Sequence, residues 1–205
     1  MKISLDHIGK KFQRHRIFKD ISYEFSAPGT YALLGANGSG KSTLLRIIAG
    51  IQSPSVGKVH FELSGTPVDS KNIFRFISFC APGMEIVEEL TLKEFLEFHF
   101  TFKKLLPGFS VKQIIELTGL SNSSDKPIAD YSSGMKQRVK LAQAFFTDTP
   151  CLLLDEPCTN LDHSGVEQYN SWIESYTKDR LVIVASNDVK EYFFCKERME
   201  VEEYK

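Results

Sequence analysis

The chain has 205 residues, 42% hydrophobic and 25% charged, enough for one domain with a sizeable core. Its 25 Lys and Arg balance 26 Asp and Glu, for a net charge of −1, so nothing argues for a nucleic-acid partner. The four cysteines, Cys80, Cys151, Cys158 and Cys195, form no C-x-x-C pair and read as reduced structural thiols of a cytosolic protein. Polar residues follow Met1-Lys2 and no apolar run is long enough to span a bilayer. No secretory leader is therefore expected, and membrane contact is expected only through a partner.

Lys2–Phe12 and Ile17–Phe25 alternate apolar and polar residues, as antiparallel strands joined by a polar turn do. The basic run Lys10–Lys19 reads as a solvated face. Ala27–Thr30 marks a turn and Tyr31–Leu34 a short apolar strand. A glycine-rich loop then enters Ser42–Gly50, where Leu44, Leu45, Ile47 and Ile48 recur at helical spacing and Gly50 suits the C-terminal cap. Ser53–Leu63 reads as a turn entering another strand, and Phe74–Phe79 as one more.

From about Glu85 to Asp130 the pattern changes. Leu92, Phe95, Leu96 and His99 share one helical face, and Thr91 with Glu94 has capping-box spacing. A Pro-Gly-Phe break separates this helix from a second amphipathic one, Ser110–Leu120. The region reads as a helical insertion between two α/β portions. Its phenylalanines, Phe95, Phe98, Phe100 and Phe102, either pack within it or face a partner protein. A helix over Ser132–Phe146 follows, then an apolar strand, Pro150–Pro157, a helix, His163–Lys178, and a last strand, Arg180–Asp188. The alternation predicts βαβ units and a parallel sheet.

Three stretches carry chemistry. Gly35–Ser42, GANGSGKS, fits G-x-x-x-x-G-K-[ST] between the predicted strand and helix that this motif requires. Gly35, Gly38 and Gly40 let successive N–H groups turn inward, so Gly35, Asn37, Gly38, Ser39, Gly40, Lys41, Ser42 and Thr43 form a candidate phosphate cradle at a helix N-terminus. Lys41 adds a point charge, Ser42 a hydroxyl ligand for Mg2+, and Thr43 a bond to a neighbouring phosphate. Cys151–Pro157, CLLLDEP, is a buried-strand pattern ending where ligands sit on parallel sheets. Asp155 can hold Mg2+ through water, and Glu156 can orient or deprotonate an attacking water. Tyr131–Arg138, YSSGMKQR, is on its own only a helix capped by Ser132, with Gly134 permitting close backbone approach.

Together, in this order, these stretches resemble the nucleotide-binding subunit of an ABC transporter, from about Ile3 to Val201. GANGSGKST matches Walker A, LLLDEP matches Walker B, YSSGMKQR the signature motif, and Thr159–Asp162 the D-loop. The resemblance implies a single ATPase domain over residues 1–205 with ATP and Mg2+ as ligands. About 1–84 and 131–205 would form a P-loop α/β core with an N-terminal antiparallel β subdomain, and about 85–130 the helical insertion. It implies that Phe12 stacks on adenine. It implies that Ser132, Ser133 and Gly134 face the Walker A loop of a second cassette, in a homodimer or heterodimer. It places the chain on the cytoplasmic side of the membrane, docked through its insertion on an integral-membrane subunit, and the signature's form resembles exporters. The short C-terminus is expected to leave no room for a regulatory domain.

Two positions depart from the family pattern. Pro82 stands where a glutamine contacts Mg2+ and water, and proline offers no side-chain donor or acceptor. Asn187 stands where a histidine reaches the γ-phosphate; asparagine is shorter and never cationic, yet its amide can donate. Ser133 and Met135 also loosen the signature. The expectation is intact ATP binding with slow hydrolysis by Glu156 and Asn187. The alternative is a nucleotide-gated, non-motor subunit paired with a more competent ATPase.

Overall fold

A computed structural model describes all residues from 1 to 205. Strands β1 (Lys2–Phe12) and β2 (His15–Ser26) pair antiparallel, and β4 (Val56–Leu63) lies antiparallel on the other side of β1. With β5 (Thr66–Val68) they form a four-stranded sheet ordered β2-β1-β4-β5. The second sheet is wholly parallel and ordered β6-β7-β8-β3-β9. Its strands are β3 (Gly29–Leu34), β6 (Ile77–Cys80), β7 (Cys151–Asp155), β8 (Leu181–Ala185) and β9 (Glu197–Glu200).

The parallel sheet separates two cores. Along β7, Leu152 and Leu154 point into one core while Cys151 and Leu153 point into the other. Val182 and Val184 against Leu181 and Ile183 repeat this on β8. Every residue of β7 and β8 is buried, which is why both read as unbroken apolar runs. Helix α1 (Lys41–Ile48) and the antiparallel sheet cover one face. Helices α4 (Ser133–Phe145) and α5 (His163–Tyr176) cover the other, together with the helical segment.

That segment contains α2 (Leu92–Phe102) and α3 (Val111–Thr118), each opened by a complete capping box, Thr91 with Glu94 and Ser110 with Gln113. Leu92, Phe95 and Leu96 are buried as the spacing predicts, while Phe98 and Phe102 face solvent. Helix α2 stops at Phe102, short of the Leu106 that its pattern reached. Lys103 turns to extended backbone there and donates to the carbonyls of Phe74 and Ile77.

Phe74–Phe76 is not strand. Asp69 accepts from Lys71 N–H at 2.8 Å and starts a 3-10 turn over Ser70–Arg75, so β6 begins only at Ile77. Short β5 and polar β9 escape the sequence patterns; only Met199 of β9 is buried. The thiols of Cys80, Cys151, Cys158 and Cys195 are free and buried, and burial pushes Cys80, Cys151 and Cys195 up to about 12. No helix is long and apolar enough to cross a membrane.

Candidate nucleotide site

The GANGSGKS loop leaves the C-terminal end of β3 and enters α1. Gly35, Gly38 and Gly40 have φ of 136°, 81° and 108°, in the region that favours glycine. At Gly40 a Cβ would lie 2.5 Å from Ile17 Cγ2, so space and dihedral both demand glycine. No side chain caps α1 and no acid sits in its first turn, which leaves its first amides and the positive end of its dipole to an anion. The cleft at this loop has a volume of about 210 Å³, and Asn37, Gly38, Gly40, Lys41, Ser42, Thr43, Ile17 and Glu156 line it.

Lys41 is 5% exposed. Its Nζ donates to the carbonyls of Gly35 at 2.6 Å and Ala36 at 3.2 Å. Burial lowers its pKa, and the carboxylates of Glu156, Asp155 and Glu202 act against that. Ser39 is also buried, and its hydroxyl has no protein partner. A lysine-lined pocket with free helix-start amides fits a polyphosphate.

Asp155 ends β7, buried, and its Oδ1 accepts from Ser42 Oγ at 2.9 Å. Burial raises its pKa, and the Ser42 bond opposes the rise. These two oxygens are the hard donors that Mg2+ selects. Glu156 follows with φ 42°, a strained value for a non-glycine residue. Its N–H donates to Ala185 O at 2.9 Å and its carbonyl accepts from Thr159 N–H at 3.1 Å, so the turn off the sheet is held on both sides. The turn brings Glu156 to the cleft wall.

Asn187 Nδ2 donates to Asn37 Oδ1 at 2.9 Å, fastening the end of β8 to the P-loop. Neither the partner nor the contact is visible in the sequence. Glu202 was missed altogether: its carboxylate accepts from the Ala36 N–H at 2.9 Å. It reaches the P-loop because β9 pairs beside β3, a placement with no local signal.

The remaining residues of interest lie elsewhere. Pro82 sits apart from the cleft, its carbonyl accepting from Lys140 Nζ at 2.6 Å. Ser132 caps α4, accepting from Met135 N–H at 3.2 Å. Ser132 and Ser133 are exposed, and neither they nor Gly134 line the cleft of their own chain. A Cβ at Gly134 would meet Asn160 O at 2.7 Å, so the signature stretch packs on the D-loop. Phe12 lies at the tip of the β1–β2 hairpin, 48% exposed, with Lys10 Nζ 5.0 Å from its ring centroid. Ile17, not Phe12, reaches the cleft.

A glycine loop feeding a helix from a parallel strand, with a buried aspartate two strands away bonded to the loop's serine, defines a P-loop nucleotide-binding fold. Residues 18–159 match the family model described as ABC transporter, and the chain belongs to that family. It is 34% identical over 164 residues to a sulfate/thiosulfate import ATP-binding protein of Mesostigma viride, covering 76% of this chain and 45% of that one. The chain spans about half the length of the curated relatives it matches. Among solved structures it superposes with TM-score 0.82 and 20% identity on a dimeric ATP-binding cassette in a post-hydrolysis state with ADP and Pi, covering 98% of this chain and 95% of that one. With TM-score 0.80 and 18% identity it also superposes on a bacterial Atm1-family ABC exporter with ATP bound, covering 98% and 37%.

Proposed function

We propose that the chain is the ATP-binding and hydrolysing subunit of an ABC membrane transporter. One observation carries this reading: Lys41, Ser42 and Glu156, from two distant stretches, line one cleft, and Asp155 is bonded to its Ser42 hydroxyl. In the proposed reaction the P-loop amides and Lys41 hold the phosphates. Ser42 and Asp155 would hold Mg2+, which would supply charge neutralisation at the phosphate oxygens. Glu156, fixed by its backbone bonds to Ala185 and Thr159, orients the attacking water and accepts its proton.

The exposed Ser132 and Ser133, away from the cleft of their own chain, support pairing with a second cassette whose P-loop they would cover. The helical segment, with exposed Phe98 and Phe102, supports docking on an integral-membrane subunit at the cytoplasmic face. Export is the direction that the form of the signature favours. Curated relatives are named for import, and an exporter is among the structures the chain superposes on.

Slow turnover follows from two side chains. Pro82 supplies no polar group, and the Asn187 amide is engaged by Asn37. The same two features favour the second reading, a nucleotide-gated subunit paired with a faster ATPase. ATP hydrolysis by the assembled transporter separates the readings. Slow turnover by this chain, raised about tenfold or more in Asn187→His with Pro82→Gln, supports a slow motor. ATP binding with no turnover in either form supports the gated subunit, and no ATP binding overturns both.

A further inference from the structure

Glu191 belongs to none of the motifs, yet it joins two of them. It is 4% exposed, in the short helix α6 (Val189–Tyr192) that follows β8. One carboxylate oxygen accepts from the Cys158 N–H at 2.7 Å. The other accepts from the Ser186 hydroxyl, which in turn accepts from the Asp188 N–H at 2.9 Å. Its own main-chain carbonyl accepts from the buried Tyr169 hydroxyl at 2.7 Å. No Lys, Arg or His side chain pairs with it. A buried carboxylate without a cation is costly unless its hydrogen bonds are filled, and here both oxygens are engaged.

The placement of these partners gives the arrangement its meaning. Cys158 lies two residues after Glu156, and Ser186 lies immediately before Asn187. The loops leaving β7 and β8 otherwise meet through the single bond from Glu156 N–H to Ala185 O. Glu191 adds a second bridge between them and does not join the lining of the phosphate cleft. We propose that Glu191 is a positioning residue that sets the Glu156 loop and the Asn187 loop in fixed relation, so that both address the same phosphate. The proposal rests on the hydrolytic reading of the site.

Two variants test it. Glu191→Ala removes both bonds. Glu191→Gln keeps the acceptor for Cys158 but turns a donor toward Ser186, whose hydroxyl then lacks an acceptor for its own proton. In the assembled transporter, Glu191→Ala is expected to lower kcat by about 10- to 100-fold, the cost of a misplaced group. KM for ATP should stay within about twofold, because Lys41 and the helix-start amides of the glycine loop keep their contacts. Glu191→Gln should recover a substantial part of kcat. In the full-length chain alone, amide hydrogen exchange should quicken at 157–161 and 186–190 together in Glu191→Ala, while β7 and α4 keep their protection. Unchanged kcat, loosening of only one loop, or loosening across the whole core would overturn the proposal. If wild type binds ATP without hydrolysing it, the hydrolytic reading fails, and the bridge stands or falls on the paired exchange of the two loops.

Discussion

The Asn187 amide holds the P-loop through one neutral hydrogen bond to Asn37, and Lys41 holds it through two bonds to its carbonyls. The roles around this cleft separate by substitution. Glu156→Gln is expected to keep ATP binding and lower turnover by about 100-fold or more, since it removes the proton acceptor and little else. Nucleotide binding followed by single-turnover hydrolysis checks both halves. Gly40→Ala should lose nucleotide binding and destabilise the fold, because φ 108° and a 2.5 Å approach to Ile17 leave a methyl no room. Binding calorimetry with a denaturant titration reads each effect. At this scale Lys41, Ser42, Asp155 and Glu156 were legible because their chemistry is local to two short stretches. The partners of Asn187, Ala36 and Glu191 were not, because each contact closes a gap of chain by folding, and no spacing rule reports it.

Helix starts obey local rules and can be probed locally. Thr91→Ala removes the cap that accepts from Glu94 N–H and the hydroxyl that Glu94 holds, and should cost about 1 kcal/mol. Urea unfolding of the full chain measures it. The box at Thr91 was read from sequence, while the equally regular Ser110–Gln113 box was present and unread. Strands were harder. Three aromatics at 74, 76 and 79 suggested a strand starting early, but the Asp69 cap outcompetes strand propensity over the first of them. Strand β9 alternates one buried methionine with charged residues, a pattern too short to announce itself, and it exists because the edge of β3 needs a partner.

Across the whole molecule, acid sensitivity has an identifiable source in His99. Its Nε2 donates to Thr147 Oγ1 at 2.9 Å, since that hydroxyl gives its own proton to Gln143 O. Burial lowers its pKa from 6.5 to about 4. The fold therefore holds His99 neutral while the unfolded chain takes up a proton below 6.5, so stability falls as pH drops from about 6.5 to about 4. Thermal unfolding across that window should show a shallower loss in His99→Gln than in wild type. Parallel slopes in the two proteins would assign the acid sensitivity to other groups.

Fold class, the glycine-rich loop, the acid pair after β7 and the helical character of the segment between β6 and α4 can be read from the chain alone. Each of these is written in local periodicity, or in residues a few positions apart. The strand order β6-β7-β8-β3-β9, which lays β8 between the strands bearing the two motifs, emerges only on folding. Folding also brings Asn187 to Asn37, Glu202 to Ala36, and Glu191 to the loops that leave β7 and β8. The reason is physical: strand pairing satisfies backbone groups without regard to side-chain identity. The neighbours it creates are thus set by topology and burial, and remain unwritten in any short stretch of the chain.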